Sequence, residues 1–103
     1  NACYAVWKKW QNAPEGYSPE IMVTLEKLDK RIVLSIRDNG EGMGPEVKRK
    51  LFDSFFTTKP VGQGTGLGMA IVRDIIENKH HGKVLFDSVL HEYTCFRFII
   101  PIA

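Results

Sequence analysis

A chain of 103 residues is enough for one compact domain and too short for two. Its hydrophobic share of 44% and charged share of 25% exclude a disordered tail, a collagen-like repeat and a disulfide-packed toxin. Fourteen Lys and Arg against twelve Asp and Glu leave a formal net charge of +2 with the signs interspersed, which gives no electrostatic footprint for nucleic acid or an anionic membrane surface.

The two cysteines, Cys3 and Cys95, are too few for a disulfide framework and lack metal-ligand spacing. They read as small core residues in a reducing compartment. No apolar run approaches the ~20 residues that a membrane helix needs, and no signal peptide opens the chain. A cytoplasmic domain is expected, whether or not its parent is membrane-anchored. The first residue is Asn1, already inside a helical pattern, as expected of a piece of a longer protein.

Cys3, Val6, Trp7 and Trp10 share one face of a helix that should stop near Asn12-Ala13-Pro14, because proline disfavours helical geometry in the residue before it. Ile21, Val23 and Leu25 then alternate with Met22, Thr24 and Glu26, and Ile32, Leu34 and Ile36 with Val33, Ser35 and Arg37. This is strand periodicity, and the polar turn at Asp29-Lys30 should join the two as an antiparallel hairpin. Turn chemistry over Asp38–Gly44 follows, then a short helix over Pro45–Leu51 with proline in its first turn. Phe52–Gly68 has no sustained period, and an irregular stretch of that length in a small domain is functional or disordered. A helix resumes from Leu67 to about Asn78 and buries some of Leu67, Ile71, Val72, Ile75 and Ile76. Two strands, roughly Lys83–Val89 and Tyr93–Ile100, follow with a turn near His91-Glu92. This order predicts an α+β fold, a two-layer α/β sandwich with helices over one face of a largely antiparallel sheet.

Gly62, Gly64, Gly66 and Gly68 recur at every second position just before an apolar helix. Glycine there lets the backbone approach a ligand closely, and the helix start offers unpaired N–H groups to phosphate. A flexible hinge or a glycine-rich cap is the alternative. Neither GxxxxGK[ST] nor GxGxxG is present, so the P-loop, the Rossmann fingerprint and the protein-kinase glycine loop are excluded. Asp38 ends an apolar strand before Gly40 and Gly42, where its carboxylate could accept from the exocyclic amine of adenine and repel the carbonyl of guanine. An Asx-turn aspartate capping the loop is the other reading. The carboxamide oxygen of Asn1 suits Mg²⁺, although a solvated helix residue reads the same way.

Four segments, in order, carry a resemblance: Asn1-Ala2-Cys3-Tyr4-Ala5, Asp38-Asn39-Gly40-Glu41-Gly42-Met43, Leu51–Lys59, and Gly64-Thr65-Gly66-Leu67-Gly68-Met69-Ala70-Ile71-Val72. Together they resemble the asparagine box, first glycine box, phenylalanine box and second glycine box of the catalytic ATP-binding domain of bacterial sensor histidine kinases. The resemblance implies a Bergerat fold, with a mixed, mostly antiparallel sheet, spanning residues 1–103. It implies Mg²⁺-ATP as ligand, with Asn1 as metal ligand and Asp38 as the adenine-reading carboxylate. Gly40 and Gly42 would keep the adenine wall open. Gly64, Thr65, Gly66, Leu67 and Gly68 would wrap the phosphates. Lys59 would reach the phosphates from a mobile lid over about Gly44–Gly64, or its ammonium is simply solvated.

The chain departs from the family at several places. Tyr4 stands where many members have a basic residue, Ser54 where proline is usual, and His81, His91 and Tyr93 where glycine is common. No histidine here is expected to be a phosphoacceptor. The resemblance therefore implies donation of the γ-phosphoryl group to a histidine on a separate dimerisation domain, with a response regulator downstream. Another Bergerat-fold ATPase or an anti-sigma-type serine kinase is the alternative.

Overall fold

The computed structural model describes residues 2–12, 16–53 and 68–102. Ala2–Asn12 forms helix α1, Ile21–Leu28 strand β1, Arg31–Asp38 strand β2 and Pro45–Lys50 helix α2. Gly68–Arg73 forms helix α3, which continues as a π-helical segment over Asp74–Lys79; strands β3 (Lys83–Val89) and β4 (Tyr93–Pro101) follow.

The four strands make one sheet in the order β1-β2-β4-β3, and all three pairings are antiparallel. The β1–β2 hairpin turns on Asp29 and Lys30 as the alternation predicts, with Asp29 in the left-handed region at φ +48°. Aspartate tolerates that conformation better than most side chains. Pro45 opens α2, where its missing N–H costs nothing.

Because side chains alternate along each strand, the register sorts them into two faces. One face carries rungs of Leu34, Phe98 and Val84, then Ile36, Phe96 and Phe86, and then Asp38, Thr94 and Ser88. The core sits on the two apolar rungs. Leu51, Val84 and Phe96 are buried, with Met43, Phe52, Met69, Ile76, Phe86 and Phe98 packed around them. The Phe86 ring lies 6.0 Å from Phe96 and 5.9 Å from Phe52, the latter edge-on, a geometry that aromatic quadrupoles favour.

The helices differ from expectation in two respects. Among the described side chains of α1 only Val6 is buried; Trp7 and Trp10 are 46% and 59% exposed, and Cys3 is exposed while Cys95 is buried. The apolar spacing is real, but α1 lies over the end of β1 and β2, and only part of its apolar face meets the sheet. In the later helix Met69 and Ile76 pack on the core, whereas Ile71 and Ile75 face outward. That helix widens after Arg73. The His80 N–H reaches the Ile75 carbonyl at 3.1 Å, and the Gly82 N–H reaches that of Ile76 at 2.8 Å. The beginning of this helix at Leu67 lies outside the described residues. No helix among the described residues is long and apolar enough to cross a membrane.

Candidate functional site

The third rung of the covered face is polar: Asp38, Thr94 and Ser88 are 4%, 6% and 2% exposed, side by side on β2, β4 and β3. Burying polar groups in such a row is tolerated only when each is hydrogen-bonded. Ser88 Oγ donates to the Tyr93 carbonyl at 2.8 Å and accepts from the Met43 N–H at 2.8 Å. A serine has one hydroxyl proton, so in its 2.8 Å contact with Thr94 Oγ1 the threonine is the donor. Sequence reasoning passed over Ser88 and Thr94. The available signal was their alternation: each is the polar member of an otherwise apolar set, Val84-Phe86-Ser88 and Thr94-Phe96-Phe98.

Asp38 Oδ1 accepts the Gly40 N–H at 2.9 Å, the local turn bond that the sequence left open as one reading of this residue. A carboxylate has acceptor sites to spare after one such bond. Burial pushes the Asp38 carboxyl above its usual range, against the opposing pull of the Gly40 N–H and the Lys9 ammonium. A buried, acceptor-only group with a raised pKa at the end of a strand is what ligand recognition uses.

The segment after Asp38 is held as a wall. A Cβ on Gly40 would lie 2.7 Å from the backbone of Ala5, and one on Gly42 would lie 2.1 Å from the Val89 carbonyl oxygen. Gly42 also has φ +68°. Both glycines therefore let this wall pass between α1 and the end of β3, whatever lies in front of it. Asn39 ties the wall to the approach to β1. Its Oδ1 accepts from the Glu20 N–H and its Nδ2 donates to the Ser18 carbonyl, both at 2.8 Å. The Tyr17 hydroxyl donates to the Asn39 carbonyl at 2.9 Å, and burial, then the charge of Asp38, raises its pKa.

The structure thus brings Asp38, Gly40 and Gly42 together. Gly68 opens α3 with nothing within 4 Å of where a Cβ would stand. Asn1, Lys59, Gly64, Thr65, Gly66 and Leu67 lie outside the described residues, as do Ser54 and most of the expected lid. Its described beginning is anchored, because Leu51 is buried and Phe52 packs on the core. His81 and His91 both adopt left-handed backbone, at φ +57° and +67°. The third such departure, Tyr93, donates its hydroxyl to Asp87 Oδ2 at 2.6 Å and lies beneath the Arg37 guanidinium.

The family model for the histidine kinase-, DNA gyrase B- and HSP90-like ATPases matches residues 3–103. The chain is 40% identical over 83 residues to the methanogenesis regulatory histidine kinase FilI of Methanothrix harundinacea, covering 81% of this chain and 9% of that protein. It is 40% identical over 79 residues to the signal transduction histidine-protein kinase AtoS of Escherichia coli, covering 77% of this chain and 12% of that one. Among solved structures, the nucleotide-free catalytic domain of histidine kinase ThkA superposes with a TM-score of 0.68 at 37% identity, over 89% of this chain and 60% of that domain. Full-length ShkA in complex with AMPPNP superposes at 0.69 and 29% identity, over 84% of this chain and 18% of that one.

Proposed function

This chain belongs to the histidine kinase-, DNA gyrase B- and HSP90-like ATPase family, and from that premise we propose that it binds Mg²⁺-ATP and presents the γ-phosphoryl group to a histidine on a separate domain of the same protein. The observation that carries the proposal is the buried Asp38 carboxylate, set in a wall whose glycines let it pass between α1 and the end of β3. The AMPPNP complex of ShkA, an ATP analogue bound to a relative of the same fold, supports it.

In this reading Asp38 accepts a hydrogen bond from the exocyclic amine of adenine. Guanine presents a carbonyl there and is disfavoured, because two acceptors face each other. The Thr94–Ser88–Met43 chain holds the floor of the base site in place. Asn1 is assigned to Mg²⁺, and Gly64, Thr65, Gly66, Leu67 and Gly68, with Lys59, to the phosphates. When bound, Mg²⁺-ATP supplies the phosphoryl group, and the chain contributes alignment and charge neutralisation, which dominate such transfers. The acceptor imidazole comes from outside these residues, and a response regulator is the onward recipient.

Calorimetric titration with ATP and with GTP, each with and without Mg²⁺, tests the proposal. Saturable, Mg²⁺-strengthened binding of ATP with GTP much weaker is expected. Absence of ATP binding, or equal affinity for GTP, would overturn it.

A further inference from the structure

Lys9 is not among the residues assigned above, yet it joins three parts of the structure. It lies on the last turns of α1 and is half-buried. Its Nζ donates to the Asn39 carbonyl at 3.2 Å and to the His91 carbonyl at 2.8 Å, and sits 4.8 Å from the centre of the Tyr17 ring. An ammonium has three N–H groups; two are directed at carbonyls and the aromatic face takes the remaining side of the charge. The His91 N–H in turn donates to the Glu41 carbonyl. The wall is thereby stitched to the β3–β4 turn, and Lys9 stitches both to α1.

The carbonyl of Asn39 belongs to the peptide unit that leads into Gly40, whose N–H holds Asp38 Oδ1. Fixing that unit fixes the direction of the carboxylate. Both hydrogen bonds of Lys9 go to neutral carbonyls, and Glu41 pairs instead with Lys8 at 3.7 Å. The positive charge of Lys9 also acts on Asp38 against its burial, after the stronger pull of the Gly40 N–H. A neutral donor could make the same two bonds, but would not offset the burial of a carboxylate.

We propose that Lys9 is a positioning residue for base recognition: through its bonds to the Asn39 and His91 carbonyls it seats the Asp38–Gly42 wall against α1 and the β3–β4 turn. The inference rests on reading Asp38 as the adenine acceptor. Two measurements separate its failure from failure of that reading: the ¹³C titration of the Asp38 carboxyl in the free protein, and the ATP affinity between pH 5.5 and 8. Lys9→Met is expected to raise the pH at which Asp38 titrates, to weaken ATP about tenfold at neutral pH, and to shift the acid loss of ATP binding to higher pH. Lys9→Arg, which keeps the charge, restores most of each. Should Lys9→Met fail to fold, Lys9→Gln is read by the same two measurements. An unchanged Asp38 titration and unchanged ATP affinity in the Met or Gln variant overturns the role of Lys9 alone. A wild-type chain that binds no ATP overturns the nucleotide reading, and base recognition by Lys9 with it.

Discussion

Asp38 combines two demands that pull against each other. Its folded pKa lies above its unfolded value because burial disfavours the charge. The stability associated with the protonated form is therefore full below the unfolded carboxyl range and is lost as pH rises through the folded value. At neutral pH the ionised side chain weighs on the free protein. Asp38→Asn keeps an acceptor for the Gly40 N–H and removes the charge, so the ligand-free variant should melt at a higher temperature at pH 7. The difference should shrink toward about pH 4, near the unfolded pKa. A lower midpoint at pH 7 in a calorimetric scan would show that burial of the charge is not what the fold opposes. His91 offers a second test at this scale. At φ +67° a side chain costs about 1–2 kcal/mol that glycine does not. His91→Gly should raise the urea-unfolding free energy by about 0.5–1 kcal/mol, the remainder being offset by the looser unfolded chain. The carbonyl that Lys9 uses is retained in this variant.

Among the elements, the hairpins were legible from sequence and the helix faces were not. Alternation placed Val23 and Leu25 opposite Ile36 and Leu34, and two turn residues at Asp29-Lys30 set the register. A period of two fixes which face a side chain takes, but says little about what covers it. Helix periodicity likewise found the apolar face of α1 without showing that Trp7 and Trp10 would remain exposed. The site was half legible. Asp38 stood out because a charge ends an apolar strand. Ser88 and Thr94 did not, because their role depends on a register between β3 and β4 that no local pattern states. Gly40 and Gly42 were read as open space for a ligand, whereas the nearest atoms to their missing side chains belong to Ala5 and Val89.

The π-helical segment makes its own prediction. Glu77 accepts from Arg73 Nε at 3.0 Å and from the Val84 N–H at 3.3 Å, joining this segment to β3. The bond from Arg73, then that from Val84, lowers its pKa. A depressed carboxyl contributes stability above its unfolded value and loses it as pH falls through the folded one. Glu77→Gln should therefore lower the melting midpoint at pH 7, with the gap closing as the pH drops below about 4. A gap independent of pH would assign the effect to shape and not to charge.

At the scale of the whole molecule, the helices lie unevenly over the sheet. The core is concentrated where Leu51, Phe52, α3 and the π-helical segment pack over β3 and β4, while the side chains of β1 are exposed. The candidate site lies beyond the last apolar rung, where the packed Phe96 and Phe86 give way to Asp38, Thr94 and Ser88. This arrangement sets a rigid polar floor against a rigid apolar core, and the wall after Asp38 is tied down from both sides, by Ser88 through Met43 and by Lys9 through Asn39. In the proposed reading, a site so held would discriminate between bases, because the carboxylate and its support are each hydrogen-bonded in place.

The most direct measurement is therefore a cycle in which residue 38 and the base are changed together. ATP and inosine triphosphate, which carries a carbonyl where adenine carries its amine, are titrated into the wild-type chain and into Asp38→Asn. The wild type should prefer ATP by about ten- to a hundredfold, the scale of a hydrogen bond to a charged group set against two opposed acceptors. In Asp38→Asn, whose amide can donate to the inosine carbonyl, that preference should collapse or invert. The same preference for ATP in both proteins would contradict the account, because the base would then be read by something other than Asp38.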